Sequence, residues 1–145
     1  MQGLIQRVKH AKVEVDDQLV GQIKQGIVLL LGVEKHDDKD TTNKLLHKVS
    51  NYRIFSDEND KMNLSLKDIK GELLVVSQFT LAADTKKGMR PSFSSAATPA
   101  QANELYEYFV DQAKAAGLSV ATGRFAADMQ VSLCNDGPVT FLLTI

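Results

Sequence analysis

The residues Ser77, Gln78, Phe79 and Thr80, here called the 77–80 segment, combine a strand end with small polar side chains. They directly follow the apolar run 73–76, which is typical of a buried strand. Where such a strand opens onto a site, consecutive backbone N–H groups can face an oxyanion as it forms. One such donor contributes about 2.7–4 kcal/mol in a closed site. The alternative is an ordinary strand end without a chemical role.

The residues 135–140, Asn-Asp-Gly-Pro-Val-Thr, are here called the 135–140 segment, and they interrupt residues that favour strand on both sides. Pro138 has no N–H to give to a ladder, so Gly137-Pro138 cannot lie inside a sheet. Asn-Asp-Gly is typical of a hairpin turn. The alternative is a rigid lip with a cis Gly137–Pro138 bond and carbonyl groups in a fixed direction. The presence of the 77–80 segment favours the lip.

Basic residues are concentrated just after the 77–80 segment, at Lys86, Lys87 and Arg90. One interpretation is a solvated loop. Because the run lies only a few residues beyond the strand end, the other interpretation is a phosphate contact next to the same site. Phe125 and Met129 are typical of a core, although an aromatic side chain beside a polar site can also stack on a nucleobase.

The other residues with catalytic or metal-binding chemistry are scattered along the chain. His10, His36 and His47 share no paired spacing and Cys134 is the single cysteine, so we expect no metal site and no cofactor. Each histidine is interpreted as an incidental surface residue. Cys134 has no histidine near it in sequence, and we expect it to be a small buried hydrophobe. The glycine-rich phosphate-binding motifs and the Gly-x-Ser-x-Gly motif are absent.

Alternation and continuous apolar runs predict the strands that must position these residues. Ala11 and Val13 alternate with charged residues at the end of the first strand, and Asp16-Asp17 is the expected turn. The run 27–31 indicates a strand covered on both faces. The predicted strands are 2–15, 19–25, 27–31, 53–55, 73–76, 119–122, 129–133 and 139–145, with further short strands around the turn-rich residues 56–63.

Two helices are predicted. The first begins at Asp37-Asp38 and runs to about Asn51, with Leu45, Leu46 and Val49 on its apolar side. The second begins at Thr98, where Pro99 takes the first helical position and Gln101 is expected to close a capping box. Its expected apolar face and end are Leu105, Phe109, Ala113, Ala116 and Gly117. About eight strands and two long helices predict an α+β fold, with a curled, mainly antiparallel sheet or partial barrel and the helices packed outside.

Length and composition predict one domain, 1–145, with a substantial core. Apolar residues make up 43% and charged residues 24% of the chain, as in ordinary soluble proteins. The net charge of −1 gives no global attraction to nucleic acid or membrane, so a polyanionic partner must meet a local basic patch. The single cysteine and the lack of a signal peptide or a spanning apolar run predict a cytoplasmic protein.

Several motifs, in the order in which they stand, closely resemble the D-aminoacyl-tRNA deacylase family of the bacterial and eukaryotic type. The resemblance covers essentially the whole chain, and two separated matches in the right order are specific where either alone is not. At the 77–80 segment the related animal-specific deacylase has a different motif. The matching motifs are Gln6-Arg7-Val8, Met62-Asn63-Leu64-Ser65, Ser77-Gln78-Phe79-Thr80-Leu81, Lys87-Gly88-Met89-Arg90-Pro91-Ser92-Phe93 and Asn135-Asp136-Gly137-Pro138-Val139-Thr140.

The resemblance implies a homodimer in which Gly137-Pro138, with a cis bond, reaches into the partner's site beside the 77–80 segment. It also implies that Arg7 steadies this lip and that Phe125 borders the pocket for the terminal adenosine of aminoacyl-tRNA. One departure is visible: Ala126 follows Phe125 where the family usually has glycine, which weakens the expectation of adenosine contacts at that loop. The expected substrate-binding residues are Gly137, Pro138, Arg7, Phe125, Met129 and Asn135, and the expected RNA-binding residues are Lys86, Lys87 and Arg90.

The reaction that the resemblance implies is hydrolysis of the ester between a D-amino acid and the terminal ribose of tRNA, with L-aminoacyl esters rejected by the lip. Glycine has no side chain to collide with the lip, so we expect glycyl-tRNA to be hydrolysed too. We expect catalysis by positioning and by N–H donors at Phe79 and Thr80, with the ribose 2′-hydroxyl assisting water, as is thought for the family. The alternative, Thr80 as a nucleophile, lacks a base in the sequence. A tRNA-binding module without turnover is the alternative from another class, and it would not need the lip.

Overall fold

The computed structural model describes residues 1–145 as eight strands, two α-helices and one short 3-10 helix. Six strands form one curled sheet and the other two form a separate hairpin, so the predicted α+β class is confirmed. In chain order the elements are β1 (Gln2–Val15), β2 (Gln18–Ile23), β3 (Gly26–Gly32), α1 (Lys39–Asn51), β4 (Phe55–Ser56), β5 (Met62–Leu64), β6 (Glu72–Ser77), the 3-10 helix (Phe79–Ala82), α2 (Pro99–Ala115), β7 (Ser119–Thr122) and β8 (Gln130–Thr144).

The long strand β1 runs through the centre of the sheet. Along one of its edges β2 and β3 lie end to end, since Ala11 faces Ile23 and Val8 faces Gly26 in continuous antiparallel register. Along the other edge β1 pairs antiparallel with β8. Its second half alternates buried and more exposed residues, as the sequence predicted.

The sheet continues from β3 to β6 and β7, and both of these pairs are parallel. Strand β2 bends back towards β7, which nearly closes the curl. A Cβ atom at Gly21 of β2 would lie only 2.3 Å from the Thr122 carbonyl oxygen of β7. Glycine is therefore required where the two backbones meet.

Strands β3 and β6 are covered on both faces, as predicted for continuous apolar runs. On one face the larger core packs against the helices, with Leu29 of β3 and Val75 of β6 fully buried. On the other face a smaller core fills the inside of the curl, with Val28 and Leu74 fully buried. Burial on both faces therefore fixes β6 as far as Val76, just before it reaches the surface at Ser77.

Each α-helix begins at its predicted cap. The Asp38 carboxylate accepts from the Thr41 N–H at 2.8 Å, and the Thr98 hydroxyl accepts from the Gln101 N–H at 3.3 Å. Such caps satisfy N–H groups that have no partner inside the helix. No helix in the structure is long and apolar enough to cross a membrane.

Two details of the α2 prediction are wrong. The Gln101 side chain does not close a capping box, because it donates instead to the carbonyl oxygens of Lys35 and Asp37 at 3.0 and 3.1 Å. It thereby ties the start of α2 to the segment that precedes α1. The buried face also ends at Ala113, and Ala116 is exposed at the C-cap, just before Gly117 ends the helix with φ +85°.

Candidate active site

The 77–80 segment lies where β6, an internal strand between β3 and β7, ends. The Gln78 N–H donates to the Leu31 carbonyl oxygen at 2.8 Å, and the chain then turns into the 3-10 helix. The first N–H groups of a helix have no preceding carbonyl to accept them. Neither the Phe79 nor the Thr80 N–H donates a hydrogen bond within the chain. Two adjacent N–H groups are therefore available to an external oxygen atom.

The Thr80 hydroxyl has no base beside it. Its oxygen accepts a hydrogen bond from the Gln78 side-chain amide, and it bonds to no carboxylate or imidazole. An amide N–H donates and cannot take up a proton at neutral pH. The arrangement orients the hydroxyl but does not activate it as a nucleophile.

Beside this strand end is a cavity of about 490 Å³ that is mostly apolar. This volume lies within the range of pockets for small ligands, which are typically apolar with a few polar groups at fixed positions. Ser77 and Gln78 contribute polar groups to its lining, next to the ring of Phe79. The remaining walls are formed by Leu31, Val33, Val76, Ala97, Pro99, Ala102, Tyr106, the run 125–129 and Val131.

Tyr106 of α2 connects this cavity to the sheet, and the sequence analysis did not identify it. Its hydroxyl donates to the Val75 carbonyl oxygen of β6 at 3.2 Å, and its ring lies 5.9 Å from that of Phe125. Burial raises the pKa of the Tyr106 phenol, with a smaller opposing effect from a hydrogen bond to Thr122. The hydroxyl thus stays protonated at neutral pH. The sequence did contain a signal for this residue, since Tyr106 stands next to the apolar face of the predicted helix. A tyrosine buried there needs a hydrogen-bond partner for its hydroxyl.

Phe125 and Met129 both line the cavity, as the functional interpretation of these residues requires. They lie on either side of a turn in which the Ala127 N–H donates to the Arg124 carbonyl oxygen at 3.2 Å. Ala126 in this turn has φ +61°, a left-handed conformation that glycine adopts more readily than alanine. The residue at which the chain departs from the family pattern is therefore under local backbone strain.

The 135–140 segment is a bulge within β8, and the hairpin interpretation is wrong. The single residue Arg7 of β1 stands opposite residues 136–139 of β8, between two regular pairs of the ladder. The Gly137–Pro138 peptide bond is cis, as predicted, and both residues are exposed. The bulge thus projects from the sheet while the strand continues on both sides of it.

Two side chains hold this bulge in place. The Arg7 guanidinium donates to the Asp136 carbonyl oxygen at 2.9 Å and to the Ile54 carbonyl oxygen at 2.7 Å. The Asn135 side-chain oxygen accepts from the Val139 N–H at 2.7 Å and thereby spans the bulge. Asn135 is thus engaged within the bulge itself and does not line the cavity.

Within one chain the bulge is far from the 77–80 segment. Arg7 faces Ile27 of β3, which faces Leu73 of β6, whereas Ser77 lies four residues further along β6. This register places Gly137 about 13 Å away along the strands and about 14 Å away across three strand spacings. Accordingly, neither Gly137 nor Pro138 lines the cavity.

The predicted RNA-binding residues lie on an exposed loop, called the 84–92 loop. Asp84 and Ser92 close its base through two backbone hydrogen bonds of 2.7 and 3.0 Å. Lys86, Lys87 and Arg90 are exposed towards its tip and form no ion pair within 4.0 Å. The loop does not line the cavity, although it follows the 3-10 helix that begins beside the cavity.

A second cavity, of about 610 Å³, contains none of the predicted site residues. Its carboxylates are already engaged, since the Met1 ammonium lies 2.8 Å from Glu34 and 2.7 Å from Asp37. The hydrogen bond from this ammonium lowers the pKa of Glu34. We interpret this region as a structural ion-pair cluster.

The scattered residues are placed mostly as expected. His10, His36 and His47 are exposed. Cys134 is half-buried, so the expectation of a buried residue is wrong, because the β8 edge is not covered by another strand. No group of three or more His, Cys, Asp or Glu side chains is placed to hold a metal ion.

Comparison with known proteins shows similarity over the full length. The family model of D-Tyr-tRNA(Tyr) deacylase matches residues 4–144. Proteins described as D-aminoacyl-tRNA deacylase from Pseudoalteromonas translucida and Haemophilus influenzae (strain PittEE) are 80% and 64% identical, over 100% of both chains in each pair. A solved structure described as a c-Myc DNA unwinding element binding protein is 37% identical with a TM-score of 0.95, over 100% of this chain and 99% of that one. A probable eukaryotic D-amino acid tRNA deacylase shares the fold, with a TM-score of 0.87 at 15% identity over 99% and 98% of the two chains.

Proposed function

This chain belongs to the D-Tyr-tRNA(Tyr) deacylase family, and on that premise we propose how it hydrolyses the ester between a D-amino acid and the terminal ribose of tRNA. The family activity is that of a D-aminoacyl-tRNA deacylase, an ester hydrolase. We propose that the protein acts in the cytoplasm, where tRNA is charged. The observation that carries the proposed mechanism is the pair of adjacent free N–H groups of Phe79 and Thr80, of which Phe79 lines an apolar cavity.

In the proposed reaction, water adds to the ester carbonyl carbon and the carbonyl oxygen becomes negatively charged. The Phe79 and Thr80 N–H groups donate to this oxygen, which stabilises the transition state more than the ground state. The bond to the ribose 3′-oxygen then breaks and this oxygen takes a proton. The products are the free D-amino acid and tRNA.

The ribose 2′-hydroxyl, adjacent to the ester, assists the attacking water in this proposal. The chain itself has no evident base at this point, because the Thr80 hydroxyl accepts only from the Gln78 amide. Substrate assistance is therefore favoured over a covalent intermediate on Thr80. Ser77 and Gln78 would act as positioning residues, since they line the cavity.

The cavity would hold the terminal adenosine. Phe125, Met129 and Tyr106 provide walls, and the Tyr106 and Phe125 rings lie against each other. An aromatic side chain in such a wall can stack on a flat base. With the adenosine there, the ester at its ribose would lie towards the Phe79 and Thr80 N–H groups.

We propose that the protein acts as a homodimer, in which the 135–140 segment of one copy enters the site of the other. The bulge is far from the 77–80 segment of its own chain but projects into solvent. The free edge of β8 carries exposed apolar side chains on both sides of the bulge, Val131 before it and Phe141 and Leu142 after it. Apolar surface beside an unpaired strand edge is the type of surface that a second copy buries.

Gly137 and Pro138 would then exclude L-amino acids by steric collision, while the D side chain points away from them. Backbone and ring atoms held by Arg7 and Asn135 give such exclusion a fixed geometry. Glycine has no side chain on either side and cannot collide. Compared with a D-amino acid, glycine would lack only the apolar contacts of a side chain, a discrimination of about 1–3 kcal/mol. Glycyl-tRNA would therefore be hydrolysed too.

Single-turnover hydrolysis of D-tyrosyl-, L-tyrosyl- and glycyl-tRNA tests this function. We expect rapid release from the D-tyrosyl and glycyl esters and resistance of the L-tyrosyl ester. Resistance of glycyl-tRNA equal to that of the L-tyrosyl ester would show that steric exclusion alone does not determine chirality. Tight tRNA binding with no hydrolysis of any ester would indicate a nucleic-acid-binding module without turnover.

A further inference from the structure

Two aromatic rings, Phe79 and Phe93, are packed against each other on the surface at the edge of the cavity. The Phe79 and Phe93 ring centroids are 5.1 Å apart at an interplanar angle of 45°. Phe79 is 61% exposed and Phe93 is 41% exposed, whereas Phe55 and Phe109 are buried in the core. Adjacent exposed aromatic side chains are unfavourable in water and commonly mark a binding surface.

One ring of the pair belongs to the cavity lining and the other adjoins the basic loop in sequence. Phe79 lines the cavity, whereas Phe93 lies outside the cavity and follows directly after the base of the 84–92 loop. The loop carries the cations Lys86, Lys87 and Arg90 against the single carboxylate of Asp84. The cavity lining, the two packed rings and a positively charged loop are therefore connected in sequence and by direct contact of the rings.

We propose that the Phe79–Phe93 pair is a stacking platform for the unpaired nucleotides that precede the terminal adenosine of tRNA. This inference rests on the proposed function, in which the cavity holds the terminal adenosine. Every base has a π-face, so aromatic rings bind single strands with little sequence preference. The phosphates of the same nucleotides would then approach the positive charges of the 84–92 loop.

The charge beside the rings favours nucleic acid over a second copy of this chain as the occupant. A symmetric contact between two copies through the rings would bring two basic loops together, and like charges repel. A single-stranded polyanion instead matches both the rings and the charges.

The platform predicts that Phe93 matters only for substrates that carry the preceding nucleotides. We expect Phe93→Ala to raise the KM for D-tyrosyl-tRNA about tenfold, the effect of losing one stacked base. The kcat/KM for D-tyrosyl-adenosine, which lacks those nucleotides, should stay unchanged. Phe93→Tyr keeps the ring and should restore the tRNA value. Leu19→Ala, at an apolar residue of β2 that is also largely exposed, is the matched control.

The other outcomes separate this inference from the proposed function. An equal loss of kcat on both substrates would mean that Phe93 only positions the 77–80 segment, and it would overturn the platform. A shift of the subunit equilibrium in sedimentation by Phe93→Ala would identify the pair as a subunit contact and would also overturn it. If the unsubstituted protein hydrolyses neither substrate, the proposed function fails and the platform falls with it.

Discussion

The 77–80 segment and the 135–140 segment both present backbone groups, but the fold holds them in different ways. The first lies at the end of β6, a strand covered on both faces and fixed by the ladder to Leu31. The second lies on an edge strand and depends on the side chains of Arg7 and Asn135. One region is therefore positioned by the core and the other by a few polar contacts at the surface.

This difference shows how a chain without an evident catalytic base can still be a specific catalyst. Chemistry can rest on N–H donors that the core fixes, because any displacement of β6 disturbs buried apolar packing. Selection of the substrate can rest on a projecting bulge, which a second copy can reach. We therefore expect the two segments to respond to different substitutions.

Phe79→Pro should give the largest effect, because it removes one of the two proposed donors. Proline is accepted at the first position of a helix, where the N–H has no partner in the fold. We expect kcat for D-tyrosyl-tRNA to fall about 10²–10³-fold, the effect of losing one oxyanion donor. Phe79→Ala keeps the N–H and is the control for the lost ring, so its kcat should stay near that of the unsubstituted protein.

Thr80→Ala sharpens the same prediction, since it removes the hydroxyl and keeps the N–H. Most of the turnover should survive. A folded Thr80→Ala protein that had lost activity by orders of magnitude would contradict substrate assistance and make Thr80 the nucleophile.

Gly137→Ala should break the bulge. A Cβ atom there would lie 2.7 Å from Val139 Cγ2 and 3.0 Å from Arg7 Nη2, and the residue has φ +138°. The bulge must shift, and we expect kcat/KM for D-tyrosyl-tRNA to fall at least about tenfold, because in the proposed dimer the displaced bulge would obstruct the site of the second copy. Gly117→Ala is the matched control, since Gly117 also has a positive φ but has no atom within 4 Å of the added Cβ. Equal activity of the two variants would mean that the 135–140 segment does not enter a site.

Lys86→Ala with Lys87→Ala tests the basic loop and should have a moderate effect. Each phosphate contact on a single strand contributes about 0.7 to the slope of log affinity against log salt. If both side chains contact phosphates of the single-stranded end, the double variant should therefore reduce the magnitude of this slope by about 1.4. Lys61→Ala with Lys67→Ala removes two exposed cations elsewhere and should leave the slope unchanged. An identical slope in both double variants would place the phosphate contacts outside the 84–92 loop.

Ala126→Gly should have the smallest effect. It relieves a left-handed alanine, worth about 1–2 kcal/mol, but gives the unfolded chain about 0.4–1 kcal/mol of conformational freedom. We expect the free energy of unfolding, measured with urea, to rise by up to about 1.6 kcal/mol, the largest difference between these two effects. A clear loss of stability would mean that the Ala126 methyl group makes packing contacts that outweigh the strain.

Local signals in the sequence predicted much of the fold. The alternation in β1, the caps Asp38 and Thr98 and the runs that became β3 and β6 all depend on neighbouring residues, and the structure confirms them. The 77–80 segment was recognisable because a buried strand ends there.

Features that depend on distant partners were not predictable in the same way. Asn-Asp-Gly-Pro has the composition of a hairpin turn, and only pairing with β1 shows that β8 continues through it as a bulge. The Gln101 side chain bonds to carbonyl groups before α1, more than 60 residues away. The role of Tyr106 as a lining residue of the cavity depends on the packing of α2 over β6, which no local pattern encodes.

Complementation between two damaged copies tests most directly whether the two segments meet across a dimer. Phe79→Pro and Gly137→Ala copies would carry different affinity tags, and the mixed dimer would be purified through both tags. One of its two sites then combines intact donors from one copy with an intact bulge from the other. The account predicts about half the unsubstituted turnover of D-tyrosyl-tRNA, while each homodimer stays impaired. Mixed dimers no more active than those homodimers would show that the donors and the bulge do not act across the subunit boundary.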